Sequence, residues 1–442
     1  MIITPHGIKE FRNDPASFIK KMNEQMLSTG DTKICAIREP IMADFPKDEG
    51  IFFIFDKLLK LECHTSENMA NTLIPYISFI KKHKIKIIKE YDQECSSSLK
   101  GEIPNINVDS LQTQSFYGFN KFQIINAETL SRKDEKEKIF LDLVDFSYTL
   151  DSNVASFFQQ YCTNGIEKYK DLYDAIVADG NNVDITPYIF ETIMNGLKKY
   201  GINYKLNKNN KNKDQVAFFY TLSMLCDQGL FKEKRSKFYI NSVIKSSNPL
   251  IGQLGIIGYQ ARLFLILLLE AKLQFGKSAN KIKEYVYSEM RKLGLPIENR
   301  LKVILYLFTE KPGHPFFGKV INMDRINNIE DYLYRVDNTA RDIAIVQLEK
   351  YVFGRMDIYP LLATDDRAFI KILQDTKADY IFKYDNIEVP VYIHISKDMK
   401  KKHINFFKTD EPQACKFDDT GLKELIKIYE NKLESFKELM NQ

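Results

Sequence analysis

Short runs of β-prone apolar residues recur along the chain, each bounded by polar or turn-forming residues. They are Ile51–Phe55, Phe146–Leu150, Ile358–Ala363 and Val389–Ile395. Runs of this length and composition are typical of strands. The pattern therefore predicts a strand at each of them, and the second and third lead directly into aspartates.

Elsewhere the apolar residues follow helical spacing. Thr186 suits a helix cap and Pro187 the first helical position, so a helix carrying Glu191 is predicted to continue to about Gly201. A second cap of this kind, Asp337, predicts a helix that contains Asp342 near its beginning.

Residues 215–328 are helical in pattern throughout. Their most apolar run, Leu263–Leu269, is far shorter than the roughly 20 apolar residues that a bilayer-spanning helix needs. We therefore expect a buried helix. Nearby Gly252, Gly255 and Gly258 lack a phosphate-binding pattern and are interpreted as packing or turn positions. The final helix should place an apolar stripe on one face, formed by Leu422, Leu425, Tyr429, Leu433, Phe436 and Met440.

Four polar segments separate or flank these elements. Residues 95–114 are rich in Ser, Asn, Asp and Gln, which predicts a loop. The charged run Ser131–Lys138 indicates a domain boundary. Asn207–Lys213 is interpreted as a solvated, mobile linker, with RNA contact as the alternative. The basic residues of Lys81–Lys89 are interpreted as the solvated face of a helix.

The overall composition is that of an ordinary globular protein. With 442 residues and 44% hydrophobic residues, the chain can form two or three domains with a sizeable core. The formal net charge is +4, from 63 basic and 59 acidic groups. This balance permits nucleic-acid binding through local patches without arguing for it.

The cysteines show no metal-binding or paired spacing. They are scattered at Cys35, Cys63, Cys95, Cys162, Cys226 and Cys415. The first residues, Met1–Arg12, contain no apolar signal region. Because free thiols are typical of reducing compartments, we expect a soluble cytoplasmic protein without membrane contact.

Acidic residues stand where ligands usually bind in α/β proteins. Asp151 follows one predicted strand, and Asp365 and Asp366 follow another. In an open parallel sheet the carboxyl ends of the strands face one crevice. Glu191 and Asp342, on the adjoining predicted helices, could join them there.

Clustered carboxylates repel one another unless cations neutralise them. Their hard oxygen ligands suit Mg²⁺ or Mn²⁺, which can activate water for attack on a phosphodiester. The pattern therefore predicts a metal site formed by Asp151, Glu191, Asp342 and Asp366, with Asp365 as a further ligand. Ser152, Asn153 and Thr364 are candidate polar groups beside it.

At these residues the chain resembles the PIN-domain nucleases. That family opens with a strand ending in Asp and followed by Ser or Thr and often Asn, which Tyr148–Val154 matches. A Thr-x-Asp after an apolar strand is matched by Leu361–Phe369. The helical Glu and the third Asp of the family are matched within Ile189–Glu191 and Asn338–Ala344.

The resemblance covers residues 140–200 and 330–385 and implies a PIN-like parallel-sheet α/β/α domain. The departure is the long gap between Glu191 and Asp342, which implies a helical insertion. The expected organisation has five parts. They are a mixed α/β N-terminal region of unknown role (1–138), the first PIN-like part (139–214), the helical insertion (215–328), the second PIN-like part (329–400) and a C-terminal segment ending in the amphipathic helix (401–442).

The resemblance implies a metal-dependent endoribonuclease that acts on RNA, with a protein partner or a second copy of the chain as further possible partners. Two alternatives stay open: a non-catalytic PIN-like module that binds nucleic acid or scaffolds a complex, and a toxin or defence nuclease held inactive by a partner. The acids also have a structural interpretation. Asp151 could cap the following helix, and Asp342 could favour the positive end of its helix dipole.

Overall fold

In the part of the chain that the structure describes, two five-stranded sheets are surrounded by a large set of helices. The computed structural model describes residues 49–91, 99–102, 107–108, 111–131, 145–165, 170–178, 183–209, 212–228, 236–295, 297, 299–311, 313–321, 328–356, 358–385, 387–392 and 419–440. The fold class is mixed α/β, as the sequence predicts. The charged run at 131–138 lies almost wholly outside the described residues.

The strands of the described residues are short. They are β1 (Lys86–Glu90), β2 (Leu99–Glu102), β3 (Asn107–Val108), β4 (Leu111–Ser115), β5 (Lys121–Ile125), β6 (Asp145–Leu150), β7 (Val183–Asp184), β8 (Ile358–Thr364), β9 (Tyr380–Tyr384) and β10 (Ile387–Val391). The predicted strands at 146–150, 358–363 and 389–391 are thereby confirmed.

One sheet is mixed and has the order β3-β4-β8-β6-β7. Strand β6 runs parallel to both β7 and β8, whereas β4 is antiparallel to β8. Tyr359, Leu361 and Leu362 of β8 are completely buried, as expected for a strand covered on both faces. The prediction of a parallel sheet therefore holds only for β7, β6 and β8. The added strands β4 and β3 make the sheet mixed.

The other sheet is antiparallel and has the order β10-β9-β1-β5-β2. Its strands come from both ends of the described chain, since β1 pairs with β5 on one side and with β9 on the other. Strand β4, from the predicted N-terminal region, likewise pairs with β8. Strand pairing thus crosses the predicted boundary near residue 138.

Helices make up most of the remaining described chain. They are α1 (Glu49–Leu59), α2 (Ser66–Leu73), α3 (Ile77–Lys82), α4 (Ala127–Ser131), α5 (Ser152–Asn164), α6 (Lys170–Ala178), α7 (Thr186–Tyr200), α8 (Lys213–Asp227), α9 (Ser236–Ser247), α10 (Ile251–Phe275), α11 (Ala279–Lys292), α12 (Asn299–Glu310), α13 (Pro315–Ile321), α14 (Ile329–Met356), α15 (Arg367–Asp375) and α16 (Asp419–Met440). The described part of 215–328 is helical, as predicted, with α8 to α13 in order.

Helix α10 lies in the centre of the main core. Leu263–Leu269 are fully buried, and α10 packs against α7, α11, α14 and α16. A Cβ on Gly258 would lie 2.4 Å from the Met194 sulfur on α7, so this glycine permits close helix approach. The stretch Ser236–Phe275 is apolar and long enough to cross a membrane, but 94% of its apolar window is buried inside the protein.

Helix α16 covers α10 with the apolar stripe predicted for it. Leu422, Leu425 and Phe436 are buried, and Tyr429 and Leu433 pack against the same core. The prediction for this helix is confirmed.

The prediction of a strand at Ile51–Phe55 is wrong, because these residues belong to α1. Ile51, Ile54, Phe55 and Leu58 are the buried residues, and this spacing follows one face of a helix. They pack with α2 and α3 on the antiparallel sheet. An apolar run of five residues cannot separate the two periodicities.

Two other predictions in this part of the chain are also wrong. Residues 95–114 contain β2, β3 and most of β4 rather than a loop. Lys86 and Lys89 lie in β1, and Lys89 is buried with its amine donating to the His64 carbonyl at 2.7 Å. Only Lys81 and Lys82 are on a helix.

Helix α14 begins earlier than predicted. Asn328 rather than Asp337 caps it, since the Asn328 side chain accepts a hydrogen bond from the Glu330 amide at 2.9 Å. Asp337 lies within the helix, and its buried carboxylate pairs with Arg262. Asp342 is consequently near the middle of α14. It lies far from the positive end of the helix dipole, so the alternative explanation for this residue is wrong.

Candidate active site

The two strand-end aspartates lie at the same edge of the mixed sheet. Asp151 follows β6 and Asp366 follows β8, and these strands are parallel neighbours. The Asp151 amide donates to the Ala363 carbonyl at 3.0 Å, which extends the strand pairing to the site. Asp365 is also at this edge, where its charge acts on Asp151.

Thr364 joins the two strand ends. Its hydroxyl donates to Asp151 Oδ2 at 2.7 Å and accepts from the Asp366 amide at 3.1 Å. Thr364 is completely buried, so this bridge is shielded from water. It fixes the orientation of the Asp151 carboxylate relative to the turn that carries Asp366.

Both aspartates also bond to the start of the following helix. Asp151 Oδ1 accepts from the Ser152 amide at 2.7 Å. Asp366 Oδ1 accepts from the Ala368 and Phe369 amides at 2.8 and 3.2 Å, which is the usual geometry of an N-cap. The structural interpretation of Asp151 is therefore met, because Asp151 is the N-cap of α5 through its contact with Ser152, and Asp366 likewise caps α15.

Helices supply the other two acids. Glu191 lies in α7 and pairs with Arg341 of α14 at 2.5 Å. Asp342, the next residue of α14, is partly buried. No hydrogen bond or ion pair joins its carboxylate to another of the described residues.

Arg341 is held in place by further charges. Its guanidinium donates to Asp337 Oδ2 at 3.2 Å and to Asn338 Oδ1 at 2.7 Å, besides Glu191. Asp337 in turn lies 2.6 Å from the Arg262 guanidinium. Glu191 is thus anchored to a buried chain of alternating charges between α7, α14 and α10.

The carboxylates act on one another electrostatically. Burial raises the pKa of Asp342 well above its ordinary value, and the negative charges of Asp151, Asp366 and Glu191 raise it further. Lys319 opposes that rise. Burial likewise raises the pKa of Asp151 to about 6; the hydrogen bond from Thr364 opposes this, and the charge of Glu191 adds to it. These four predicted site residues therefore share one electrostatic environment.

A lysine of α13 provides positive charge at the site. Lys319 Nζ lies 3.3 Å from Asp366 Oδ2, and 62% of its side chain is exposed. Together with Arg341 it neutralises part of the acidic cluster. Both cations come from segments far from their partners in the sequence.

The donor chemistry fits Mg²⁺ or Mn²⁺, since all ligands would be hard carboxylate oxygens. Among the described residues, however, no group of three or more His, Cys, Asp or Glu side chains is arranged to hold a metal ion. The acids thus provide a suitable charge, but their present spacing does not form a finished coordination site.

The remaining predicted residues have lesser roles in this geometry. Ser152 contributes its amide to Asp151 and its carbonyl to the Ser156 hydroxyl. Asn153 is exposed, and its side chain forms no hydrogen bond to the described residues.

Three residues of this region were not predicted from the sequence: Arg341, Lys319 and Asp184. Asp184 ends β7, the third parallel strand, and accepts hydrogen bonds from the Thr186 amide and hydroxyl at 3.0 and 2.6 Å. Burial raises its pKa. The sequence Asp184-Ile185-Thr186-Pro187 at a helix start was a detectable signal. The positions of the two cations depend on contacts with residues distant in sequence.

Comparison of the chain with protein-family models, with curated proteins and with solved structures found no match in any of the three.

Proposed function

We propose that this protein is a PIN-like, metal-dependent phosphodiesterase that cleaves RNA internally. The observation that supports the proposal is the environment of Asp342. Its carboxylate is partly buried, forms no hydrogen bond with the described residues, and lies in the field of the charges of Asp151, Asp366 and Glu191. An ionised carboxylate in such surroundings is unfavourable unless a cation lies near it. A bound metal ion would supply that positive charge.

Asp151, Asp342 and Asp366 would hold Mg²⁺ or Mn²⁺, with Asp365 as a further ligand and Glu191 beside a second ion or the attacking water. When bound, the metal lowers the pKa of water and stabilises the leaving oxygen of a phosphodiester.

The residues of the chain itself prepare this site. Thr364 orients the Asp151 carboxylate through its 2.7 Å hydrogen bond. Arg341 keeps Glu191 directed towards α14. Lys319 balances charge at Asp366 and is exposed enough to move away from an arriving cation or towards an anionic substrate.

RNA is proposed as the substrate by analogy with the PIN domains. We also propose that the protein acts in the cytoplasm. Cys63, Cys162 and Cys226, the described cysteines, are free thiols, and such thiols suit a reducing compartment.

A second candidate function is a non-catalytic module that binds nucleic acid or scaffolds a complex. It is favoured by the ion pairs of Glu191 with Arg341 and of Asp366 with Lys319. In this alternative the protein's own cations replace the metal, and Asp366 serves as a helix cap.

RNA cleavage assays separate the two functions. The protein is incubated with a mixed-sequence RNA in Mg²⁺, in Mn²⁺ and in EDTA, alongside Asp342→Asn. Asp331→Asn is the matched control, because Asp331 is exposed in the first turn of the same helix. We expect metal-dependent cleavage that Asp342→Asn abolishes and Asp331→Asn retains. Cleavage that persists in Asp342→Asn, or none by the wild type with either metal, would reject the proposed activity.

A further inference from the structure

A cavity of about 540 Å³ opens in the part of the molecule formed by the antiparallel sheet. It lies between the end of α3, the start of β1, helix α4 and the β9–β10 turn. Its charged lining residues are Lys81, Lys84, Lys86, Lys383, Glu128 and Asp385. We call it the lysine cavity. Four lysines against two acids give it an excess of positive charge.

Strand pairing brings these lysines together from distant parts of the chain. Lys86 of β1 lies directly opposite Lys383 of β9, and directly opposed like charges are unfavourable in an antiparallel pair. Glu388 of β10 is the register partner of Lys383 on its other side, and Lys383 is buried there. Lys81 and Lys84 add two exposed amines at the same place.

The backbone of Lys84 is unusual. Helix α3 ends with the Lys84 amide bonded to the Lys81 carbonyl and the Ile85 amide bonded to the Ile80 carbonyl. This is a Schellman ending, in which the residue at the position of Lys84 adopts the left-handed conformation and is usually glycine. Lys84 has φ +48°, a conformation that is strained for a side chain of this kind.

Other helices of the same chain use glycine at this position. Gly165 ends α5 and Gly294 follows α11, with φ of +65° and +67°. The left-handed backbone at the end of α3 therefore favours glycine, yet the residue there is Lys84. Strain retained at a single position is a reason to look for a function of its side chain.

The other non-glycine residue with positive φ in the described chain also lines the lysine cavity. It is Asp385, with φ +46°, whose amide donates to the His83 carbonyl at 3.2 Å. Tight hairpin turns require positive φ, and Asp tolerates it, so the β9–β10 turn accounts for Asp385. The hydrogen bond fixes this turn against the end of α3 and so fixes the shape of the cavity.

We propose that the lysine cavity binds backbone phosphates of RNA. Lysine ammonium groups are point-charge donors that bind phosphate oxygens. The exposed side chains of Lys84 and Lys81, at the cavity, are placed to reach a single RNA strand. The presence of a phosphate site follows from these residues. Its assignment to RNA rests on the proposed function.

The experiment measures binding of a labelled single-stranded RNA by fluorescence anisotropy in EDTA, over a series of salt concentrations. Lys84→Gly removes one amine and relieves the left-handed strain. We expect weaker RNA binding, a slope of log affinity against log salt that is smaller by about 0.7, and a melting temperature equal to or above that of the wild type. Lys81→Gln should weaken binding similarly without changing the backbone. Lys281→Gln, exposed on α11, is the charge-matched control and should bind like the wild type.

Wild-type affinity and salt slope in both Lys84→Gly and Lys81→Gln would overturn the inference. So would an equal loss of binding in Lys281→Gln, which would show only a nonspecific charge effect. Inorganic phosphate, added at constant ionic strength, distinguishes the source of the anion. If phosphate protects the wild type against heat but the lysine variants bind RNA normally, the cavity takes a small phosphate ligand and the RNA assignment fails. Because EDTA prevents metal-dependent cleavage, these results stand apart from the outcome for Asp342→Asn.

Discussion

Replacing Asp151 with Asn tests the acidic site most directly, because the change removes one charge at nearly constant shape. The Asn side chain can still accept a hydrogen bond from the Ser152 amide through Oδ1. At Oδ2 an amide nitrogen would face the Thr364 hydroxyl, which could no longer donate to it. The variant therefore relieves electrostatic and desolvation strain but loses one buried hydrogen bond.

The size of each effect can be estimated from the structure. Burial raises the pKa of Asp151 from 3.8 to about 6, which corresponds to about 3 kcal/mol between the protonation states. The folded protein binds this proton more tightly than the unfolded chain. The stability linked to Asp151 is therefore fully present below pH 3.8 and is lost as the pH rises to about 6. Loss of the Thr364 hydrogen bond would cost about 1 kcal/mol.

We therefore expect Asp151→Asn to be more stable than the wild type by about 2 kcal/mol at pH 7 in EDTA. The difference should shrink as the pH falls through 6. Urea unfolding followed by circular dichroism between pH 7.5 and pH 5 measures it. Added Mn²⁺ should stabilise the wild type by mass action and the variant much less.

The opposite result would refute this reasoning. If Asp151 acts only as a helix cap, Asp151→Asn should keep the cap, because Asn and Asp cap helices equally well, and should lose at most about 1 kcal/mol through the hydrogen bond from Thr364. That loss would be independent of pH between 5 and 7.5, and Mn²⁺ would act equally on both proteins. Finding this pattern would remove Asp151 from the proposed metal site.

Three further predictions concern the surroundings of the site. Lys319→Gln should tighten Mn²⁺ binding measured by calorimetry, because it removes the positive charge beside Asp366; unchanged affinity would show that Lys319 does not compete with the metal. Arg341→Met should lower unfolding stability by about 3 kcal/mol by breaking a buried charge network, whereas Arg335→Met, exposed on the same helix, should have little effect. Gly258→Ala should destabilise the protein by about 1–3 kcal/mol because the new Cβ would meet Met194. Gly318→Ala, with open space around its Cβ, should not destabilise α13. Equal melting temperatures for the two variants would contradict this prediction.

The sequence predicted the strands that carry the acids because each strand is buried and bounded by a polar turn. The end of β6 before Asp151 and the end of β8 at Thr364 were both visible as a change from apolar to polar residues. The helix of Glu191 was visible for a similar reason, since Pro187 and Gly201 mark its two ends. Local chemistry decides these boundaries.

Contacts between distant segments could not be predicted in this way. Arg341 and Glu191 are 150 positions apart, and the polarity of either residue alone suits a solvated helix face. Strand β4 was hidden in a polar segment because its pairing with β8, rather than its own side chains, makes it a strand. Asp337 was predicted to be a helix cap because Asp is common at that position. In the structure it lies within α14 and is buried beside Arg262.

The pairing of β1 with β9 and of β4 with β8 has a consequence for how the chain folds during synthesis. Neither sheet can be completed until the ribosome has produced residues more than 240 positions later, since Ser115 pairs with Leu361. Helices α8 to α13 emerge in the interval and are rich in local contacts, so they can form first. Strands β1 and β4 therefore have unpaired edges until their partners β9 and β8 are synthesised. Contacts of such long sequence separation form slowly. Aggregation during expression should therefore begin at these unpaired strand edges. Chaperones that shield extended segments should improve the yield of folded protein.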